Sequence, residues 1–262
     1  MIGSGADQAP RALILAAGRG ARLRPLTDTV PKPLVEAAGK PLIHYGLELL
    51  RAHGIKDVVI NVHHLADAII ESVGNGAELG LRIRFSVEET LLDTGGGIRQ
   101  AAELLGIRRE DPVGRPLVVL NADVVSEIPL GEVLARHTRS GALVTMVLRD
   151  DPRAAEYGLF GTDETGRIRH FLGRGLPPEG LRLGMFASVH VLSAEVVGHM
   201  PATGAFGSMR DLYPRLFNEG GHFEGVFYDG PWYTADTPAD LAATDAALRQ
   251  TGYCPKPGTP RF

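Results

Sequence analysis

Short apolar runs alternate with helix-forming patterns up to Arg149, and this alternation constrains the fold more than any other feature of the sequence. The runs are continuously apolar, as strands are when helices cover both faces of a parallel sheet. The predicted strands are Ala12–Ala17, Val58–Val62, Ile83–Val87, Leu117–Asn121 and Leu143–Leu148. The predicted helices are Pro41–His53, Ala66–Val73, Gly97–Leu105 and Leu130–Ser140. We therefore expect an α/β fold with a mainly parallel, doubly wound sheet.

After Asp150 the strands become shorter and turn residues become more frequent. The predicted strands here are Tyr157–Thr162, Arg167–Phe171 and Met185–Leu192, with a turn at Asp163–Gly166 and helices at Asp211–Glu219 and Pro238–Arg249. No linker-like segment separates this part from the first, so we expect one domain over residues 11–250, with halves 11–150 and 151–250. Residues 251–262 are expected to form a loose tail, because the segment from Cys254 onward contains three prolines.

The bulk composition excludes several classes of partner. The net charge of −4 gives no general attraction to nucleic acid or to an anionic membrane. Cys254 is the single cysteine, so no disulfide can form within the chain, which suits a reducing compartment. No apolar stretch approaches the roughly 18 residues of a membrane span, and the N-terminus lacks a signal-peptide pattern. We expect a cytoplasmic protein that binds neither nucleic acid nor membrane, with a homo-oligomer among the states left open.

A glycine-rich turn follows the first predicted strand, in the stretch LILAAGRGARLRPLTDTVPKPL from Leu13 to Leu34. Glycines let backbone N–H groups approach an anion closely. The Walker pattern is absent, and the dinucleotide pattern G-x-G-x-x-G fails because Leu23 stands where its third glycine should be. A P-loop ATPase and a standard nicotinamide site are therefore both disfavoured.

The same stretch concentrates positive charge in a chain whose net charge is negative. From Arg11 to Lys32 there are five cations and one anion, Asp28: the cations are Arg11, Arg19, Arg22, Arg24 and Lys32. Arginine can bind two phosphate oxygens as a fork, and the prolines on either side of Lys32 restrict its backbone. The combination indicates a phosphate-binding site, whereas a lone Gly-x-Gly would indicate an ordinary solvated loop.

These residues resemble the signature L-A-A-G-x-G-x-R-L-x-P-L-T…P-K-P-L of the sugar-1-phosphate nucleotidyltransferases. The resemblance runs from about Ala12 to Leu248, through the segments Gly39–Ile43, Leu92–Ile98, Leu120–Asp123 and Trp232–Leu241. The short length and the Asp-Thr-Gly-Gly-Gly-Ile loop look most like the N-acetylmuramate-1-phosphate uridylyltransferases. Many longer relatives carry a C-terminal left-handed β-helix, and we expect none in this chain.

The resemblance implies a fold, a reaction and a set of nucleotide-binding residues. The fold would be the Rossmann-like, mixed and mainly parallel sheet of the nucleotide-diphospho-sugar transferases. The reaction would be transfer of a nucleotidyl group from an NTP to a sugar 1-phosphate, with Mg²⁺ as cofactor and release of pyrophosphate. Arg22, Lys32 and Asp123 would be catalytic. The nucleotide would be bound by Leu15, Ala16, Ala17, Gly18, Gly20, Arg22, Lys32, Glu88, Thr94 and Gly95.

The resemblance also implies residues for the sugar and the metal ion. The sugar would be bound by Asn121, Ala122, Gly158, Arg174 and Trp232, and the metal ion by Asp123 and Asp236. Asp123 follows an apolar predicted strand, and Mg²⁺ prefers one or two carboxylates together with phosphate oxygens. The alternative is that Asp123 caps the next turn or helix. Trp232 could line the sugar pocket or fill the core.

Three positions depart from the family pattern. Thr234 stands where relatives have the second metal-binding aspartate, and Asp236 stands two residues later at a glycine position. Asp236 could supply the missing carboxylate, or it could be the N-cap of the helix predicted from Pro238. Ala122 replaces a glycine, and Arg174 is the nearest equivalent of a sugar-phosphate-binding lysine.

Several questions of substrate and activity stay open in the sequence. Ala16 and Ala17 precede Gly18 where many guanylyl and thymidylyl relatives have glycine, which favours UTP and a sugar such as N-acetylmuramate 1-phosphate. Glu88 could read the base edge or be an ordinary surface carboxylate beside Glu89. The same chemistry with another NTP and mannose, glucose or heptose 1-phosphate is one alternative. A catalytically weak regulatory paralogue that binds an NDP-sugar is another, because Thr234 breaks the metal motif.

Overall fold

The computed structural model describes residues 9–108, 116–154 and 158–255. Its strands are β1 (Arg11–Leu15), β2 (Glu36–Ala37), β3 (Lys40–Pro41), β4 (Asp57–Val62), β5 (Arg82–Val87), β6 (Leu117–Asn121), β7 (Val124–Ser126), β8 (Val144–Arg149), β9 (Phe160–Thr162), β10 (Ile168–Phe171), β11 (Arg174–Gly175), β12 (Arg182–Leu192), β13 (Phe223–Phe227) and β14 (Trp232–Thr234). Its α-helices are α1 (Leu42–Ala52), α2 (Ala66–Val73), α3 (Asp93–Leu104), α4 (Leu130–Ser140), α5 (Tyr213–Asn218) and α6 (Pro238–Thr251).

One large sheet organises the molecule. Strands β6, β1, β4 and β5 lie side by side and are all parallel. The long strand β12 pairs antiparallel with β6 on one side and with β8 on the other, and β13 pairs parallel with β8. The beginning of β12 carries β9, which continues into β10 and β11. The expected mixed, mainly parallel sheet in one domain is therefore confirmed.

Helices cover both faces of the parallel strands. Neighbouring residues of β1 point to opposite faces, and both Leu13 and Ile14 are fully buried. Leu13 belongs to a cluster that includes Ile98 of α3, whereas Ile14 belongs to a cluster that includes Leu47 of α1. The continuous apolar character of the strand follows from this double burial.

Most of the predicted elements are present, several with the predicted bounds. The strand Leu117–Asn121 and the helices Ala66–Val73 and Leu130–Ser140 match at both ends. The turn after Thr162 is also confirmed, because the Gly166 N–H donates to the Asp163 carbonyl at 3.0 Å. Tyr157 and residues 256–262 of the predicted tail lie outside the described residues.

Some boundaries were wrong for reasons that involve distant parts of the chain. β1 ends at Leu15 rather than Ala17, because the Ala16 N–H donates to the Asn61 side chain at 2.8 Å. α3 begins at Asp93 rather than Gly97, and its glycine-rich first turn packs against Phe206. The single helix predicted from Asp211 is a π-helical turn, Ser208–Leu212, followed by α5.

Short strands that pack beside the main sheet were not predicted. β7 pairs with β14 and β2 pairs with β3, each as a two-stranded antiparallel sheet. The pairing of β14 with β7 places the segment after Thr234 next to the segment before Val124. This contact brings the C-terminal part of the chain to the edge of the sheet where β6 ends. Within the described ranges, no helix has the length and apolarity needed to cross a membrane.

Stability should fall in mild acid because His137 is buried as a neutral imidazole. Burial, with a smaller contribution from nearby His222, lowers the pKa of His137 to about 4. In the unfolded chain, His137 binds a proton once the pH falls below the ordinary pKa of histidine. The neutral, buried histidine therefore stabilises the fold above that ordinary pKa, and the stabilisation is lost as the pH falls towards the lower pKa of the folded state. From near neutrality to about pH 5, His137 should contribute a loss of about 2 kcal/mol.

Urea unfolding near pH 7 and near pH 5 measures this loss. His137→Gln should reduce the difference in free energy between the two pH values by about 2 kcal/mol, whereas His199→Gln, at a less buried histidine, should leave it close to wild type. An identical difference in the wild type and in His137→Gln would show that His137 is not the group responsible.

Candidate active site

Two adjoining clefts open at the edge of the sheet where β1 and β6 end. This is the edge at which open α/β sheets bind ligands, because loops there leave a crevice. The first cleft is lined by Leu15, Ala16, Ala17, Gly18, Lys32, Pro33, Asn61, Glu88, Leu91, Asp93, Thr94, Asn121, Ala122 and Asp123. The second is lined by Gly18, Gly20, Ala21, Arg22, Lys32, Asn121, Asp123, Val124, Ser188, Thr234 and Asp236. Most of the residues predicted from sequence therefore lie together.

Lys32 lies where the two clefts meet and binds two carboxylates. Its Nζ donates to Asp236 Oδ1 at 2.7 Å and also to Asp123 Oδ2. Burial disfavours the charged form of Lys32, but the charges and hydrogen bonds of Asp123 and Asp236 outweigh burial and raise its pKa above the ordinary value. Lys32 is therefore a cation at neutral pH.

The glycine-rich loop is shaped to bring its backbone close to Lys32. Gly20 has a left-handed conformation, with φ of 62°, and a Cβ there would lie 3.0 Å from side-chain atoms of both Lys32 and Thr27. The buried Thr27 hydroxyl donates to the Gly20 carbonyl at 2.8 Å. Arg22 extends from the same loop, is largely exposed and lies 3.0 Å from Asp236. The loop thus presents backbone and an exposed cation to the second cleft.

The helix that follows Asp236 decides between the two roles predicted for this residue, metal ligand and helix N-cap. The N-cap of α6 is Thr237, which forms a capping box with Asp240. Asp236 does not cap the helix, and its carboxylate instead binds Lys32 and Arg22. Thr234 also lines the second cleft, so both departures from the family motif lie beside Asp123.

Asp123 and Asp236 form a donor set that suits Mg²⁺. Both carboxylates contact one cationic atom, Lys32 Nζ, so together they hold positive charge at a single point. The described part of the chain has no group of three or more His, Cys, Asp or Glu side chains that could hold a metal ion. Mg²⁺ is commonly bound by one or two carboxylates plus substrate phosphates, so this pair fits it without a third protein ligand.

A buried polar pair, Asn61 and Glu88, lines the first cleft, and sequence analysis identified Glu88 but not Asn61. Asn61, only 3% exposed, accepts from the Ala16 N–H and donates to Glu88 Oε1 at 2.7 Å. The other oxygen of Glu88 accepts from the Leu92 N–H at 2.8 Å. Glu88 is therefore not a surface carboxylate: it joins β4 to the loop before α3, and Asn61 extends this link to Ala16 after β1. A single amide within the apolar strand VVINV was the sequence signal for Asn61.

The start of α3 is held in place by a segment from the second half of the chain. The N–H groups of Gly95 and Gly96 donate to the Phe206 carbonyl at 2.9 and 3.3 Å. Ser208 donates to the Thr94 hydroxyl through its N–H at 2.9 Å and lies 3.0 Å from it through its own hydroxyl. Gly95 faces Phe206 rather than the cleft, and a Cβ there would lie 2.2 Å from the ring. Phe206 and Ser208 belong to no motif that sequence analysis could use.

The predicted sugar-binding residues divide into two groups. Asn121 and Ala122 line the first cleft, while Gly158, Arg174 and Trp232 do not line either of the two clefts as described. Trp232 is buried in the core, its indole N–H donates to the Ala187 carbonyl at 3.0 Å, and Arg149 stacks 4.9 Å above its ring. Arg174 is exposed on the short strand β11. A role for these three residues in sugar binding stays a prediction.

Comparison with known proteins agrees with this geometry. The profile of the family described as "Nucleotidyl transferase" matches residues 11–174. The chain is 32% identical to a UTP–glucose-1-phosphate uridylyltransferase of Synechocystis over 85% of its length and 59% of the relative. It is 47% identical to an N-acetylmuramate alpha-1-phosphate uridylyltransferase of Neisseria meningitidis over 45% of its length and 48% of the relative. Other curated relatives are mannose-1-phosphate guanylyltransferases.

The chain matches only part of each curated relative, but it matches nearly the whole of one solved structure. The chain spans about half to two thirds of the length of these curated relatives. Among solved structures, HddC from Yersinia pseudotuberculosis, crystallised with GMP-PN, superposes with a TM-score of 0.73. That match covers 91% of this chain and 99% of HddC at 21% identity, so it shows a shared fold.

Replacing one oxygen of Glu88 should destabilise the protein. In Glu88→Gln, the side-chain amide cannot accept from both Asn61 and the Leu92 N–H, so one buried donor loses its partner. Such a loss costs about 1–3 kcal/mol in the free energy of unfolding. Glu89→Gln is the matched control, because the neighbouring Glu89 is exposed and should change stability by about 0.5 kcal/mol or less. Equal unfolding free energies in urea for the two variants would contradict the assigned role of Glu88.

Proposed function

Because the chain belongs to the nucleotidyl transferase family, we propose that it transfers a nucleotidyl group from an NTP to a sugar 1-phosphate. The observation that carries the proposal is the meeting of Lys32, Asp123 and Asp236 beside the glycine-rich loop. A partly buried lysine between two carboxylates, next to a loop that presents backbone N–H groups, suits a substrate with several phosphates. In this proposal residues 11–150 bind the nucleotide and residues 151–250 contribute the sugar side.

The proposed reaction is an in-line displacement at the α-phosphorus. An oxygen of the sugar 1-phosphate forms the new bond to that phosphorus, and the bond to the β-phosphate oxygen breaks, so pyrophosphate leaves with the electron pair. The protein has little covalent work to do, and its contribution is positioning and neutralisation of charge. The backbone of Gly18 to Gly20 and the guanidinium of Arg22 would hold the leaving pyrophosphate. Lys32 would contact the α-phosphate, where negative charge accumulates.

Asp123 and Asp236 would hold Mg²⁺, which when bound neutralises phosphate charge and orients the phosphate oxygens. The chain's own contribution is to place these carboxylates correctly. Asp123 follows β6, and Asp236 follows β14, which is paired with β7. The departure at Thr234 therefore does not remove the second carboxylate from the site. This favours an active enzyme over the weak regulatory paralogue.

The finer substrate assignment rests on two residues of the nucleotide cleft and on the named relatives. We favour UTP and N-acetylmuramate 1-phosphate, because Ala16 and Ala17 line the nucleotide cleft and the named relatives include two uridylyltransferases, one of them for N-acetylmuramate 1-phosphate. Guanylyltransferases among the relatives make GTP with mannose 1-phosphate the main competitor. Glu88 would face the base from the floor of the cleft, and Thr94 from its wall.

A grid of pyrophosphate-release assays tests the reaction class and names the substrates. UTP, dTTP, CTP, GTP and ATP would each be combined with the 1-phosphates of N-acetylmuramate, N-acetylglucosamine, glucose, mannose and heptose, with and without Mg²⁺. We expect Mg²⁺-dependent release, fastest with UTP and N-acetylmuramate 1-phosphate. A folded protein that binds an NDP-sugar but releases no pyrophosphate in any combination would instead support the regulatory paralogue.

Asp236→Asn tests whether the displaced aspartate serves the site. The variant keeps the shape of the side chain and removes its charge, so kcat/KM should fall by about 10²–10³ and half-activation should require more Mg²⁺. Asp229→Asn is the control, because the Asp229 side chain is 72% exposed and pairs only weakly with Arg182 at 3.8 Å. Wild-type Mg²⁺ dependence and wild-type kcat/KM in Asp236→Asn would exclude Asp236 from the site.

A further inference from the structure

The long strand β12 contains a residue in an unusual backbone conformation. Ser188 has φ of 60°, and it is the one non-glycine residue with positive φ that lies inside a strand of the described chain. The pairing of β12 with β8 shifts register between Phe186 and His190, which places Ser188 in a β-bulge. Bulges of this kind redirect a side chain, and strained non-glycine residues persist where the surroundings determine them.

The residues around Ser188 fix this bulge from both sides. The carbonyl of the fully buried Ala187 accepts from the Trp232 indole at 3.0 Å. Val189 is paired with Leu120 in β6, and buried His190 lies 2.9 Å from the Tyr213 hydroxyl through Nε2. The neighbours of Ser188 are therefore anchored, and its own conformation follows from them.

The bulge directs Ser188 to the second cleft, where its hydroxyl has no hydrogen-bond partner among the described residues. Ser188 is partly exposed and shares the lining of this cleft with Asn121, Asp123, Thr234 and Asp236. Over residues 9–108, 116–154 and 158–255, the Ser188 side chain forms no hydrogen bond. Glycine would adopt this φ without steric cost, so strain alone does not explain a serine here. A hydroxyl that is held beside two carboxylates and left unpaired is available to a ligand.

The order of the strands indicates which substrate meets Ser188. The order β12, β6, β1 puts Asp123, which follows β6, between Ser188 on one side and the glycine-rich loop after β1 on the other. In an in-line displacement the attacking group enters opposite the leaving group. If pyrophosphate leaves over the glycine-rich loop, the sugar 1-phosphate enters from the side of β12.

We infer that the Ser188 hydroxyl hydrogen-bonds to an oxygen of the sugar 1-phosphate and thereby positions it for attack. The inference rests on the proposed function and adds to it a residue for the second substrate. Ser188 then takes part in binding the sugar 1-phosphate and has no role in binding the NTP. Ser188 acts before the chemical step, so its loss should raise the KM for the sugar 1-phosphate.

Two substitutions at this position separate the hydroxyl from the backbone. Ser188→Ala removes the hydroxyl and retains the strain, whereas Ser188→Gly removes the hydroxyl and relieves the strain. Both variants should raise the KM for the sugar 1-phosphate roughly tenfold or more, since a hydrogen bond to a charged group is lost. The KM for the NTP should stay at its wild-type value, and the melting temperature of Ser188→Gly should equal or exceed that of Ser188→Ala. Ser193→Ala, at the serine that follows β12, is the control and should match wild type.

The steady-state measurements distinguish failure of this inference from failure of the proposed function. Wild-type turnover with unchanged KM values in both Ser188 variants would overturn the role of Ser188 and leave the proposed function standing. Impairment in Ser188→Ala alone would show a backbone effect and would also overturn it. Absence of pyrophosphate release by the wild type would overturn the proposed function and, with it, the role of Ser188. A matched rise in the sugar 1-phosphate KM in both variants supports the inference.

Discussion

The site depends on the ion pairs that Lys32 forms with Asp123 and Asp236. The two carboxylates come from positions 91 and 204 residues away in the chain, and both bind this ammonium group. Taking a lysine out of water is costly, and the cost is offset here because both partners are anionic and hydrogen-bonded to it. The ends of β6 and β14 and the loop before Lys32 must therefore all be correctly placed before the site exists.

Much of this framework could be predicted because it depends on local sequence. The apolar runs of β4 and β6 and the helices α2 and α4 follow from periodicity and from their flanking residues. The glycine-rich loop and the basic residues in it lie within one short stretch, so their combination was visible in the sequence. Asp123 could be placed as well, since the end of a buried parallel strand faces the ligand crevice.

The parts that could not be predicted all depend on contacts between distant segments. Asn61 looked like one polar residue in an apolar strand, and only the fold shows that it joins Ala16 to Glu88. Ser208 binds Thr94 across 114 residues of sequence, and no sequence motif predicts this hydrogen bond. Asp236 suited a helix cap and a metal ligand equally well until the structure showed the cap to be Thr237. Ser188 carries no sequence signal, because its significance lies in a backbone angle.

The central claim is that Asp123 and Asp236 act together as one site, and a double-mutant cycle on kcat/KM tests it most directly. The single variants Asp123→Asn and Asp236→Asn and the double variant would be compared with wild type under saturating Mg²⁺. Groups that act as a unit are non-additive, so we expect the double variant to be about as impaired as the worse single variant. Losses that multiply in the double variant would show two independent carboxylates and would contradict the account.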